Sequence, residues 1–409
     1  MSSLSCAATP AGPRVAPRTA STPAEAPGTV ASSEAPPPLP VTEEDAILRE
    51  VAAVRHLDPL GPVPVTYLDE ASFRARAART TVPPSRATVA MAIAFGFVSA
   101  EPRAPVPPDP GDGLAVGFLG FFDFDSHALY VRQGLPETAL TGVLVHEMSH
   151  ALQDQHFGME TDEEDEDVAL AHKALYEGDA MVVREAFAAS RAHVPLRPFL
   201  DRSVDLVRSV PPASLARALG APPELFRASR LRRAEMLFAY LAGLAFVDAL
   251  HQEGGFAAVD GAFRRLPTST QQVLHPSKYL ANDSPVPVEA PPPPPGYHAV
   301  TEGTLGEART RIVLTSCDPA AVDVPPLASP LGAGWAGDRY LVAEGPAGSL
   351  ALLWRTTWET TDDAIRFERA LRGASRCWPS RGSSPGWHIG RQGSITRDGA
   401  QVSYVRGVT

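Results

Sequence analysis

The chain has 409 residues, 44% of them hydrophobic and 20% charged, the balance of a folded globular protein with room for two domains. Thirty-six Lys and Arg against 47 Asp and Glu leave a net charge of −11, so no basic field exists to hold nucleic acid or an anionic membrane surface. No run of about 18 apolar residues occurs, and no transmembrane segment is expected.

Residues 1–41 are rich in Pro, Ala, Ser and Thr and carry few large apolar side chains, a composition expected to form a disordered tether. The first ordered element is a helix from Thr42 to Arg55, with Thr42 as its cap and Glu43, Glu44 and Asp45 in its first turn. A strand follows over Pro62–Leu68, then a helix over Asp69–Arg79 entered through a capping Asp. Thr88–Val98 reads as a buried helix. Gly113–Arg132 alternates around Asp123-Phe124-Asp125-Ser126 and predicts a hairpin. Helical spacing then runs from Pro136 to His156. The acidic run Asp162–Asp167 reads as a solvated loop, with a weak calcium site as the alternative.

Further helices are expected over Val168–Ala189, Pro198–Val210, Pro222–Arg230 and Ala234–Gln252, the last ended by Gly254-Gly255. Five consecutive prolines, Pro291–Pro295, make residues 285–296 a stiff spacer between a domain at 42–284 and a smaller one at 297–409. The latter mixes a helix (Thr361–Arg372) with strands at Arg339–Val342, Leu350–Trp354 and Gln401–Val405, so the chain is α+β. Trp335, Trp354 and Trp358 are assigned to its core. Cys317 and Cys377 either pair, closing a loop of about 60 residues, or remain two buried thiols.

Chemistry concentrates in Val143-Leu144-Val145-His146-Glu147-Met148-Ser149-His150, which contains HExxH. Four residues advance a helix by about 400°, so His146 and His150 project from one face, one turn apart. That separation suits two imidazoles on one tetrahedral Zn²⁺. Glu147 beside them can take a proton from water at the metal and pass it to a leaving amine.

A hairpin, the HExxH helix, and then a helix bearing Leu175-Tyr176-Glu177-Gly178-Asp179-Ala180 together resemble the gluzincin metallopeptidases, which include thermolysin and the M1-type aminopeptidases. The strings His150–Phe157, Ser269–Pro276 and Trp335–Tyr340 are similar to a poorly characterised bacterial family assigned as metallopeptidases. The resemblance implies a zincin-like catalytic domain: a small mixed sheet, an active-site helix and a helical subdomain. It implies Zn²⁺ as cofactor and a peptide or protein as substrate. Leu4-Ser5-Cys6-Ala7 separately resembles the end of a bacterial lipoprotein signal, which implies a lipid anchor at Cys6 and an extracytoplasmic location, with an ordinary tail cysteine as the alternative.

Two residues compete as third metal ligand. Glu177 lies where the gluzincin likeness puts its Glu. His156 has the metzincin spacing, but Gln153 stands where metzincins have the glycine that turns the chain back to the metal. Gln153 is expected to continue the helix and carry His156 away, which favours Glu177. Asp179, Asp154 and His156 are candidates to orient the ligating histidines. His275 and Tyr279, placed in a loop, are candidate donors to a transition-state oxyanion. The strand at Phe118–Phe122 is a candidate edge for an extended peptide. No GxMEN-like string is present, which favours endopeptidase action. Two other functions fit the same motif: an inactive zincin-like binding module, and a zinc hydrolase of a non-peptide substrate.

Overall fold

The computed structural model describes residues 42–79, 84–97, 119–159, 165–218, 221, 225–226, 228–317, 327, 329–379 and 387–408. Cys6, Phe118 and Asp162–Glu164 lie outside them. Helix α1 (Glu43–Arg55) starts as its sequence requires: Thr42 accepts from the Asp45 N–H while the Asp45 carboxylate accepts from the Thr42 N–H. Strand β1 (Val65–Leu68), helix α2 (Glu70–Ala77, capped by Asp69) and helix α3 (Arg86–Ala94, capped by Ser85) follow. Strands β2 (Gly120–Asp123) and β3 (Ala128–Arg132) form the expected hairpin. β1 joins β3 in parallel, giving a mixed sheet of order β1-β3-β2 with β2 at an edge.

Helix α4 (Glu137–Phe157) packs against β2, α1 and helix α5 (Glu166–Arg191). Then come α6 (Leu196–Ser209), α7 (Pro212–Ala218), α8 (Arg230–Leu237), a π-helical turn at Phe238–Ala242, and α9 (Gly243–Arg264). Of the helix expected over Pro222–Arg230, residues 222–224 and 227 lie outside the described residues, and α8 begins at Arg230 behind a Ser229 cap. Gly254-Gly255 kinks α9 without ending it, Gly255 taking φ 63°, after which the helix resumes to Arg264. The stretch Arg230–Arg264 is long and apolar enough to cross a membrane, yet 72% of its apolar window is buried within the protein. Its hydrophobicity is that of a core helix.

Two short helices, α10 (Thr270–Leu274) and α11 (Pro276–Leu280), occupy what the sequence suggests is a loop. Beyond them lie β4 (His298–Gly303), α12 (Gly306–Leu314), β5 (Trp335–Glu344), β6 (Ser349–Trp358), α13 (Thr361–Ala374), β7 (His388–Ile389), β8 (Gly393–Asp398) and β9 (Gln401–Arg406). They build a sheet of order β4-β5-β6-β9-β8, with β7 alongside β6. The fold is α+β with mixed sheets.

One core joins α1, α4, α5 and α9; the other lies on the C-terminal sheet. The second core includes Ala90–Phe95 of the N-terminal half, with Phe95 edge-on to Tyr340 and Trp354. Residues 42–409 accordingly form one compact unit. The proline segment is held along it, the Val286 N–H donating to Ala336 O at 2.7 Å. Trp335, Trp354 and Trp358 are core residues, and the indoles of the first two donate to buried Asp338 at 3.1 and 2.8 Å. Cys317 and Cys377 are bridged, their Cα atoms 5.2 Å apart.

Candidate metal centre

His146 and His150 sit one turn apart on the buried face of α4, and α5 crosses to bring Glu177 opposite them. His146 Nε2 lies 3.2 Å from His150 Nε2 and 3.2 Å from Glu177 Oε2, and His150 Nε2 lies 3.5 Å from the same oxygen. Tetrahedral zinc with bonds of about 2.0–2.2 Å holds its ligand atoms about 3.3–3.6 Å apart. The three side chains therefore have both the chemistry and the spacing of a three-ligand zinc site. Carboxylate and imidazoles also perturb one another. Burial opposes charge on Glu177, but hydrogen bonds from His146 and His150 take its pKa well below the usual carboxylate value. Burial likewise disfavours a charged His150, but hydrogen bonding to Glu177 and its charge raise the imidazole to about 9.

Glu147 points into the same cavity, and the Phe122 N–H donates to its Oε2 at 2.9 Å. Burial raises the Glu147 pKa against the pull of both histidines. The Phe122 contact follows from strand phase. Arg132 N–H bonds Leu119 O, so in the antiparallel pair Gly120 and Phe122 turn their backbone groups away from β3, toward α4. Gly120 is required there, because a Cβ would lie 2.4 Å from Val143 of α4.

The cavity has a volume of about 420 Å³. Ala169, Lys173, Tyr176 and Glu177 recur at the spacing of one helix face, so the face of α5 that offers Glu177 also forms the cavity wall. Phe124 and Met159 close the other side, leaving a largely apolar chamber beside the cluster.

A residue not foreseen from sequence completes the site. Tyr240, in the π-helical turn, stacks on His146 with ring centroids 5.6 Å apart and planes 11° from parallel, and lines the same cavity as Glu177. Burial and the Glu177 charge raise its pKa well above the ordinary value. Its signal in sequence is a single hydroxyl-bearing side chain inside the apolar run Phe238–Phe246. A π-turn adds a residue to the helix and re-aims its side chains, which pattern reading does not detect.

The other candidates are placed elsewhere. α4 continues through Gln153 to Phe157, and His156 bonds Asp58 O at 2.7 Å, away from the cluster. Asp154, one turn beyond His150, pairs instead with exposed His127 at 2.7 Å and orients neither ligand. Asp179 reaches the site indirectly, through Gln153. His275 binds Glu307 at 3.1 Å, and Tyr279 is buried, donating to Arg265 O at 2.8 Å. Neither lines the cavity, because α10 and α11 fold their segment back under α9.

A family described as a domain of unknown function (DUF8575) matches residues 295–409, which hold the C-terminal sheet and none of the clustered residues. No curated protein and no solved structure matches the chain.

Proposed function

We propose that this chain is a zinc-dependent peptidase with a zincin-like catalytic part of gluzincin type, acting as an endopeptidase. The observation that supports it is the convergence of His146 Nε2, His150 Nε2 and Glu177 Oε2 within 3.5 Å, beside Glu147 in a cavity under an edge strand. His146, His150 and Glu177 would hold the metal, which when bound supplies Lewis acidity toward a carbonyl and acidifies water.

The chain's own groups supply the rest. Glu147, steadied by the Phe122 N–H, accepts a proton from the attacking water and returns it to the leaving amine. Its burial raises its basicity, since desolvation disfavours the charged carboxylate. Tyr240 presents a protonated hydroxyl beside Glu177, positioned to donate to an oxygen that gains negative charge. β2 is an edge strand among the described residues and lies beside the cluster, where an extended peptide can align. The Cys317–Cys377 bridge supports an extracytoplasmic location, where disulfides persist, and fits a lipid anchor at Cys6.

Elemental analysis of protein purified without added metal, together with a peptide-library digest, tests the reading. Near-equimolar zinc and chelator-sensitive cleavage are expected. Glu147→Gln should keep the metal and lose turnover by about 10²-fold or more. Zinc without peptide turnover in the wild type would leave a binding module or a non-peptide hydrolase, and no zinc at all would remove the site.

A further inference from the structure

We infer that Gln153 is a positioning residue that fixes the His150 ring for metal binding and makes that orientation depend on an ion triad, Arg55–Asp179–Asp260, whose first two members are buried. The inference rests on the reading of His150 as a metal ligand.

The direction of each bond follows from its neighbours. Gln153 Nε2 lies 3.1 Å from Tyr176 O and 2.9 Å from Asp179 Oδ2, both acceptors only. This atom is therefore the amide NH₂, since the flipped amide would set oxygen against oxygen twice. Gln153 Oε1 then faces His150 Nδ1 at 2.9 Å, and Nδ1 must carry the hydrogen it donates. His150 is left with Nε2, the atom that meets His146 and Glu177, as the nitrogen free to bind a cation.

Asp179 could not hold Gln153 unaided. It is wholly buried, and a lone carboxylate there would be neutralised or expelled. Arg55, at the end of α1 and 1% exposed, donates from Nε to both Asp179 oxygens at 2.9 and 3.0 Å. Its Nη1 lies 2.8 Å from Asp260 of α9, and Phe256 covers its guanidinium at 4.8 Å. A path of polar contacts thus runs from α9 through α1 and α5 to one imidazole. His146 is held differently: its Nδ1 is buried without a hydrogen-bond partner and its ring is stacked on Tyr240.

The test measures Zn²⁺ affinity by chelator competition and the visible spectrum of the Co²⁺-loaded protein, in three variants. Gln153→Met keeps the volume and removes the amide; a 10–100-fold loss of zinc affinity with an altered Co²⁺ band is expected. Gln153→Glu sets a carboxylate against Asp179 and should lose as much or more. Adding Asp179→Asn to Gln153→Glu removes the carboxylate repulsion and supplies a donor toward residue 153, whose carboxylate still accepts from His150 Nδ1, and should recover part of the affinity and the band. Wild-type affinity and spectrum in Gln153→Met, or no recovery in the double variant while Gln153→Met still folds, overturns the inference alone. A wild-type protein that binds neither metal overturns it together with the ligand assignment beneath it.

Discussion

Gly178 and Gly243 cross backbone to backbone: a methyl group on Gly178 would fall 2.3 Å from the carbonyl of Gly243, and one on Gly243 would fall 2.1 Å from Ala174 O. The crossing lies one residue after Glu177 and three after Tyr240, so it sets how closely the two reach each other. Both obstructing groups are backbone and cannot turn aside. Gly178→Ala should therefore push α5 from α9, costing about 1–3 kcal/mol by overpacking, and weaken zinc binding through Glu177. Gly142, inside α4 with nothing within 4 Å of a built Cβ, is the control. Gly142→Ala should stabilise by about 0.5–1 kcal/mol. Denaturant unfolding of both variants checks the contrast, and equal effects would show that the crossing is not tight.

The choice of third ligand gives a second test. Glu177→Ala should remove most of the zinc, since its Oε2 lies 3.2 and 3.5 Å from the two imidazole nitrogens. His156→Ala removes only a bond to Asp58 O and should leave stoichiometric metal. Metal analysis of the two purified variants decides, and the opposite ranking would make the site metzincin-like.

The difference between those residues was legible in sequence because it turned on local backbone chemistry. Gln153 has no freedom to leave the helix as glycine does, so His156 had to continue around α4. The capped starts of α1 and α2 and the hairpin were legible for the same reason. Tyr240 was not, since its aim depends on a π-turn and on a helix crossing more than sixty residues away in the chain. Nor was the partner of Asp179: nothing local ties residue 179 to residue 55, which meet only after α1 docks on α5. His275 and Tyr279 were misplaced because two five-residue helices leave too little pattern to show through Pro276. The boundary at 285–296 rested on proline composition, which reports stiffness and carries no information on whether the flanking cores join.

Asp167 gives a pH dependence. Its carboxyl is buried against Thr270, and burial raises its pKa from 3.8 to about 7, with the charge of Asp338 adding to the shift and the bonds from Thr270 opposing it. Below the unfolded value both states hold the proton, and the group contributes nothing to the pH slope. As pH rises from about 4 to 7 the unfolded chain releases the proton first, so stability falls, by on the order of 4 kcal/mol in all. Asp167→Asn should remove this share of the slope, becoming progressively more stable than the wild type across that window. Urea unfolding from pH 4 to 8 measures it; parallel curves for the two proteins would show that Asp167 ionises normally.

The Cys317–Cys377 bridge ties the end of α12 to the turn after α13 across 60 residues of chain. A loop of that length restricts the unfolded state by about 3–4.5 kcal/mol in the chain-entropy model. Non-reducing digestion should yield the linked peptides, and a Cys317→Ser, Cys377→Ser double variant should unfold at lower denaturant with its metal site intact. Two free thiols in protein from an oxidising compartment would contradict the bridge.

Arg309 shows what the C-terminal segment contributes to the site. It lies within the DUF8575 match, is 9% exposed, and donates from Nε to Glu235 at 2.6 Å and from Nη1 to Glu166 at 2.7 Å. Glu166 opens α5, which carries Glu177, and Glu235 belongs to α8, which runs directly into the turn carrying Tyr240. One guanidinium from the C-terminal half thus joins the two elements whose side chains meet at the cluster. Arg309→Met leaves both carboxylates together without their cation, and breaking a buried pair this way costs about 3–5 kcal/mol. The loss comes from unpaired charge, so adding Glu166→Gln and Glu235→Gln to Arg309→Met should return most of the stability. If the single variant instead unfolds within 1 kcal/mol of the wild type, apolar packing alone joins the halves. If it is destabilised and the triple variant is not rescued, Arg309 acts through its hydrogen bonds and stem packing, with charge secondary.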